Sequence, residues 1–117
     1  MGTQNTIQIV NKTLFDMTLD ADHLHIEHYD GGSREAIVAA LGVVPAGGTH
    51  QANIEADTSS SASTVEMSFH LPSNDEDAVR YFLKQQGTTA VSVEKNQLSH
   101  TATCYANGHT GVFVLEN

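Results

Sequence analysis

The stretch Ser63-Thr64-Val65-Glu66-Met67-Ser68-Phe69-His70-Leu71 alternates strictly between polar and apolar side chains. A period of two places the apolar side chains on one face of a β-strand and the polar side chains on the other. The stretch therefore predicts a strand over Ser63–Leu71 with one face buried and the other in water.

Shorter stretches with the same period occur along the rest of the chain. We predict further strands over Thr6–Asn11, Thr13–Leu19, Asp22–Tyr29, His50–Ala56, Thr89–Glu94, Leu98–Tyr105 and Gly111–Leu115. Turn-forming residues separate them at Asp30–Ser33, Pro45–Gly48 and Asn107–Gly108. Seven to eight short strands spaced by turns are typical of an antiparallel β-sandwich. The mainly β chain has the length of one domain, residues 1–117.

One helix is predicted within this sandwich, at about 74–86. Val79, Phe82 and Leu83 have the i, i+3, i+4 spacing of an apolar helical stripe. The acidic residues Asp75–Asp77 would lie in the first turn, where the helix dipole favours negative charge, and Gly87 would end the helix.

The segment Arg34–Leu41 is compatible with two structures. Its alanines, Glu35 and Leu41 favour a helix, whereas the apolar run 36–41 also fits a strand buried on both faces. Since eight residues are few for a helix, we favour a strand or extended structure here.

The charge balance restricts the partners. Five basic residues against fourteen acidic ones give a formal charge of −9. Such a chain repels phosphate, so we expect no nucleic-acid partner. No apolar run approaches the roughly 20 residues of a transmembrane helix. Met1–Gln8 lacks the apolar core of a signal peptide, which predicts a soluble protein that is cytoplasmic, or secreted after leader removal.

The candidate metal ligands lie in the predicted strand Asp22–Tyr29. On a strand, His23, His25 and Glu27 share one face at intervals of about 7 Å. Two imidazoles and a carboxylate could hold zinc or copper. The alternative is that they are solvent-facing side chains opposite Leu24 and Ile26, and we expect no obligatory cofactor.

No set of catalytic residues can be assembled from the sequence. Cys104 is the single cysteine, so an internal disulfide is excluded. It lies among apolar and small residues, which favours a buried structural thiol over a nucleophile. We therefore expect a protein that is not an enzyme.

Three segments carry a family resemblance. They are the strands Ile7–Asn11 and Met17–His25, the turn Val44–Gly48, and the Gly-rich hairpin Gly108–Val112. They resemble the opening strands, mid-chain turn and closing hairpin of the aegerolysins, small acidic β-sandwich proteins of fungi and bacteria. The resemblance implies a membrane lipid as target and a second protein for pore formation. The aegerolysins are typically rich in Trp and Tyr, whereas this chain has no Trp and three Tyr, and the resemblance assigns no functional residue.

Three function hypotheses follow. The first is a non-enzymatic binding module, lectin-like or cytolysin-like, that recognises a glycan or a membrane-lipid head group through the polar loops Asp57–Ala62 and Ala106–Thr110. The second is a structural or self-assembling β-protein that forms a homo-oligomer. The third is a small metal-dependent enzyme that uses His23 and His25.

Overall fold

The computed structural model describes residues 2–57, 62–72 and 76–116. In these ranges the chain forms ten strands, one α-helix and a short 3-10 helix. The strands are β1 (Gly2–Asn11), β2 (Met17–Leu19), β3 (His25–Glu27), β4 (Val43–Val44), β5 (Thr49–Asp57), β6 (Ser63–His70), β7 (Val79–Gln85), β8 (Ser92–Gln97), β9 (Ala102–Asn107) and β10 (Thr110–Leu115). The 3-10 helix is Ala21–His23 and the α-helix, α1, is Ser33–Leu41.

The strands form two sheets, which confirms the predicted mainly β sandwich. The small sheet has the order β5-β1-β10-β9, and the large sheet has the order β4-β2-β6-β7-β8. Two short strands pair with the same edge of β6. Strand β3 pairs with residues 64–66 of β6, and β2 pairs with residues 69–70 of β6. The β1–β10 pair is parallel, and the other strand pairs of the described residues are antiparallel.

The two sheets enclose one apolar core. Tyr81 of β7 lies at its centre, with ring centroids 6.0 Å from Phe69 of the same sheet and 4.8 Å from Phe113 of the small sheet. Ile7 and Ile9 of β1 are fully buried in the same core. The alternation in 63–71 therefore has the predicted consequence, since its apolar residues point inward and Met67 and Phe69 have no exposed surface.

The helix lies at Ser33–Leu41, so our preference for a strand in Arg34–Leu41 was wrong. Ser33, Ile37 and Leu41, spaced by four residues, are buried, whereas Val38 is 41% exposed. One buried stripe suits a helix, and a strand covered on both faces would have buried Val38 as well. The helix packs against β5.

The predicted helix at 74–86 is also wrong. Residues 79–85 form β7, which pairs with β6 on one side and β8 on the other. Val79, Tyr81 and Leu83 point into the core with a period of two. β-branched and aromatic residues such as Val79 and Tyr81 also favour strands. Gly87, with φ of 56°, lies in the turn after β7. Residues 73–75, the predicted start of that helix, lie outside the described residues.

Several predicted strands have different bounds in the structure; β1, for example, begins at Gly2 and not at Thr6. In Thr13–Leu19 only Met17–Leu19 is strand, because the Asn11 side chain holds residues 11–15 in a loop and leaves Phe15 48% exposed. Thr89–Glu94 and Leu98–Tyr105 are displaced toward the carboxyl end, to Ser92–Gln97 and Ala102–Asn107. The hairpin at Asn107–Gly108 and the strand Gly111–Leu115 are confirmed.

Candidate functional site

The outer face of the large sheet collects polar side chains around an aromatic ring. Because the odd-numbered residues of β6 and β7 point inward, the even-numbered ones point outward. The pairing register then aligns eight side chains of β3, β6, β7 and β8 in two rows. We call this surface the acidic sheet face; its rows are His25–Glu66–Phe82–Glu94 and Glu27–Thr64–Lys84–Ser92.

The strand geometry sets the size of this surface. Neighbouring strands lie about 4.8 Å apart, and the two rows lie about 7 Å apart. Four strands therefore span about 14 Å. All eight side chains belong to residues that line one concavity of about 500 Å³.

Phe82 is the unusual residue of the acidic sheet face. Its ring is half-buried, while the flanking residues Tyr81 and Leu83 point into the core. Both cross-strand neighbours of Phe82 are carboxylates, those of Glu66 and Glu94. The face of an aromatic ring binds C–H groups or a cation, and the carboxylates on each side favour a cation.

The charges of the acidic sheet face also favour a cationic ligand. Glu27, Glu66 and Glu94 supply three carboxylates, and Lys84 is the one ammonium among the eight side chains. Within the described residues none of these four side chains forms an ion pair. The surface therefore carries negative charge that a bound amine would neutralise, and it would repel an anion.

The structure separates the three predicted metal ligands. His25 and Glu27 lie on β3 and both line the concavity of the acidic sheet face. His23 lies in the preceding 3-10 helix, because the Asp20 side chain accepts a hydrogen bond from the Asp22 backbone N–H and forms that turn. The prediction of one strand over Asp22–Tyr29 was therefore wrong, and His23 does not share a strand face with His25.

His23 contacts two carboxylates instead. Its Nδ1 lies 2.6 Å from Asp20 Oδ2 and 3.5 Å from Asp77 Oδ2. The hydrogen bond to Asp20 and the charges of both carboxylates raise the pKa of His23 above its ordinary value. The imidazole is therefore more easily protonated than a free one.

Of the two loops predicted to contact a ligand, only Ala106–Thr110 lies wholly within the described residues. Asp57–Ala62 falls mostly on residues 58–61, which lie outside the described residues. Ala106–Thr110 includes the exposed β9–β10 turn, where His109 Nδ1 lies 3.0 Å from Gln85 Oε1. None of the eight side chains of the acidic sheet face belongs to Ala106–Thr110.

Cys104 is partly buried on β9, opposite Phe113, and not fully buried as expected. Partial burial raises the pKa of its thiol, and nearby Glu94 adds to this effect while Lys95 opposes it. A thiol with a raised pKa is less ionised at neutral pH and therefore less reactive.

Only some residues of the acidic sheet face were predicted from the sequence to face outward. The alternation in 63–71 places Thr64 and Glu66 outward, as observed. Phe82 and Lys84 were missed because 74–86 was interpreted as a helix. Glu94 was missed because it was placed at the end of a predicted strand, Thr89–Glu94, whereas it lies within β8 and pairs with Phe82. The period-two pattern of Val79, Tyr81 and Leu83 was the signal that could have revealed them.

The architecture defines the class of the molecule as a two-sheet β-sandwich with one packed helix. Solved structures of other proteins share this fold. IP-1A from Alcaligenes faecalis matches with a TM-score of 0.65 and 10% identity, over 100% of this chain and 91% of that protein. RahU in complex with a TRIS molecule matches with a TM-score of 0.65 and 8% identity, over 98% of this chain and 95% of that protein.

At these identities the likeness shows the fold alone. No protein-family profile matches the chain, and no curated protein matches it by sequence. The β-rich architecture of the aegerolysin-like prediction is thus supported by these neighbours, while the family itself remains a prediction. No helix in the described part of the chain is long and apolar enough to cross a bilayer.

Proposed function

We propose that this protein is a non-enzymatic binding module and that the acidic sheet face is its ligand-binding surface. Its ligand is a glycan or a lipid head group that carries hydroxyl groups and a cationic amine. Phe82 between Glu66 and Glu94 is the observation on which this proposal depends.

Each part of the ligand has a counterpart on this surface. An ammonium group would contact the Phe82 ring and the two flanking carboxylates. Hydroxyl groups would exchange hydrogen bonds with Thr64, Ser92 and the second-row carboxylate of Glu27. Lys84, between Thr64 and Ser92, could contact the phosphate of a zwitterionic head group.

The fold neighbour RahU supports this ligand class. It has been solved with a TRIS molecule, which combines one amine with three hydroxyl groups. The aegerolysin resemblance adds support for a lipid head group, and a glycan with an amino sugar offers the same chemistry. The sheet face replaces the polar loops of our first hypothesis because it combines the carboxylates with an accessible aromatic ring.

Binding to two panels of ligands tests this function. One panel contains neutral, acidic and amino-sugar glycans, and the other contains liposomes of zwitterionic amine-bearing, choline-bearing or anionic lipids. We expect amine-bearing members to bind. Phe82→Ser should weaken binding by about twofold to thirtyfold, since a cation–aromatic contact contributes about 0.5 to 2 kcal/mol.

Tyr105→Ser is the matched control, because Tyr105 is an aromatic residue of β9 that is 57% exposed and lies outside the acidic sheet face. This variant should bind as the wild type does. Failure of every amine-bearing ligand to bind, or equal affinity of the Phe82→Ser and wild-type proteins, would contradict the proposal.

A further inference from the structure

His23 lies between two carboxylates that come from different parts of the chain. Asp20 precedes the 3-10 helix that contains His23, and Asp77 lies two residues before β7. One ligand atom from each of the three side chains lies within 4.8 Å of the other two. The loop between β2 and β3 and the segment before β7 thus bring one nitrogen and two oxygen donors together.

The donor geometry is close to that of a metal site. Zinc binds imidazole nitrogen and carboxylate oxygen at about 2.0 to 2.2 Å, so tetrahedral ligand atoms lie about 3.3 Å apart. The distances from His23 Nδ1, 2.6 Å to Asp20 and 3.5 Å to Asp77, lie on either side of this value. The ligand atoms of the two carboxylates lie within 4.8 Å of each other, so small side-chain movements would complete such a set.

The charge of the cluster also favours a cation. The carboxylates of Asp20 and Asp77 are only 23% and 13% exposed, respectively. Across residues 2–57, 62–72 and 76–116 neither of them pairs with a lysine or arginine. With a neutral imidazole, two negative charges stand together in a chain whose formal charge is −9, and a divalent ion would neutralise them.

The surroundings leave room for the remaining ligand. A concavity of about 330 Å³ opens beside the cluster and is also lined by Glu76, Arg80 and Leu98. The Arg80 side chain is held by a hydrogen bond from its Nε to Ser68 Oγ, at 3.2 Å. Because the concavity opens beside the cluster, water could reach a bound ion from that side.

We propose that Asp20, His23 and Asp77 form a binding site for a divalent transition-metal ion, with His23 Nδ1 and one oxygen from each carboxylate as ligands and water completing the coordination. This site is separate from the acidic sheet face and does not depend on its function. Its ligand set differs from the predicted set of His23, His25 and Glu27, since only His23 belongs to both.

The experiment titrates chelator-treated protein with zinc and follows the histidine side chains by long-range ¹H–¹⁵N NMR, while calorimetry gives stoichiometry and affinity. We expect one zinc ion per chain, with the coordination shift on Nδ1 of His23. Asp77→Asn and His23→Gln should each bind about a hundredfold more weakly, because even outer-shell partners of metal ligands contribute about tenfold to a hundredfold.

Asp22→Asn removes an exposed carboxylate of the same 3-10 helix and is the matched control, which should retain the wild-type affinity. Circular dichroism verifies that each variant is folded, and the NMR readout on the wild type does not depend on any variant. The proposal is overturned if zinc does not bind, if it shifts other histidines instead of His23, or if Asp77→Asn binds zinc as tightly as the wild type.

Discussion

Tyr81 and Phe82 are neighbours in β7 and face opposite sides of the large sheet. The Tyr81 ring is fully buried against Phe69 and Phe113, while the Phe82 ring is half-buried on the outer face. One strand therefore stabilises the sandwich through its odd-numbered residues and presents the candidate ligand surface through its even-numbered residues.

The hydroxyl group of Tyr81 predicts an effect on stability. It is buried and has no hydrogen-bond partner among the described residues, and such a group costs about 1 to 3 kcal/mol of folding free energy. Tyr81→Phe removes it without changing the ring, so we expect unchanged stability or a gain of about 1 kcal/mol. Urea unfolding measures this, and a loss of stability would show that the hydroxyl group has a partner.

The buried amide of Asn5 gives a second prediction. Its Nδ2 donates to Gln85 Oε1 over 2.7 Å and its Oδ1 accepts from the Tyr29 hydroxyl over 2.7 Å, so it links β1 to the opposite sheet. Asn5→Ala would leave the Tyr29 hydroxyl without this acceptor and lower the unfolding free energy by about 2 to 3 kcal/mol.

The control for Asn5 is Asn53→Ala, which removes an exposed hydrogen bond from Thr6 Oγ1 to Asn53 Oδ1. Exposed positions of this kind change stability by about 0.5 kcal/mol or less. Equal losses for the two variants, measured by urea unfolding, would contradict the structural role assigned to the inter-sheet link.

We expect His23 to make a pH-dependent contribution to the stability of the metal-free protein. Its pKa is higher in the folded state than in the unfolded chain, where it is about 6.5. The stabilisation from its ion pairs is therefore fully present below about pH 6.5 and is lost as the pH rises through the folded-state pKa. In the presence of a chelator, His23→Gln should lose more stability relative to the wild type at pH 5.5 than at pH 9.

The control for His23 is His100→Gln. The His100 ring contacts the Ser99 hydroxyl, whereas the His23 ring contacts two carboxylates. Its stability difference from the wild type should change less between the two pH values. A His23→Gln difference that is constant with pH, or that grows as the pH rises, would be incompatible with the contacts to Asp20 and Asp77.

The sequence predicted the sandwich because period-two alternation reports directly on which residues are buried. It failed where local and tertiary preferences compete. The acidic residues 75–77 and the spacing of Phe82 from Val79 suggested a helix, but pairing with β6 and β8 makes residues 79–85 a strand. In Arg34–Leu41 the local helix propensity was the better guide.

The candidate sites were harder to predict because they depend on register and on distant segments. Glu66 was expected to face water, but its position beside Phe82 follows only from the β6–β7 register. The contact of His23 with Asp77 joins residues 54 positions apart, and no local pattern encodes such a contact.

The most direct measurement of the central claim is a ¹H–¹⁵N NMR titration with TRIS at pH 7, where its amine is protonated. The matched compound is the triol in which a methyl group replaces the amine. We predict that TRIS shifts the backbone amides around Glu66, Phe82 and Glu94, and that the triol shifts them much less. Equal shifts with both compounds, or TRIS-dependent shifts confined to residues outside β3, β6, β7 and β8, would contradict the assignment of the acidic sheet face as the ligand-binding surface.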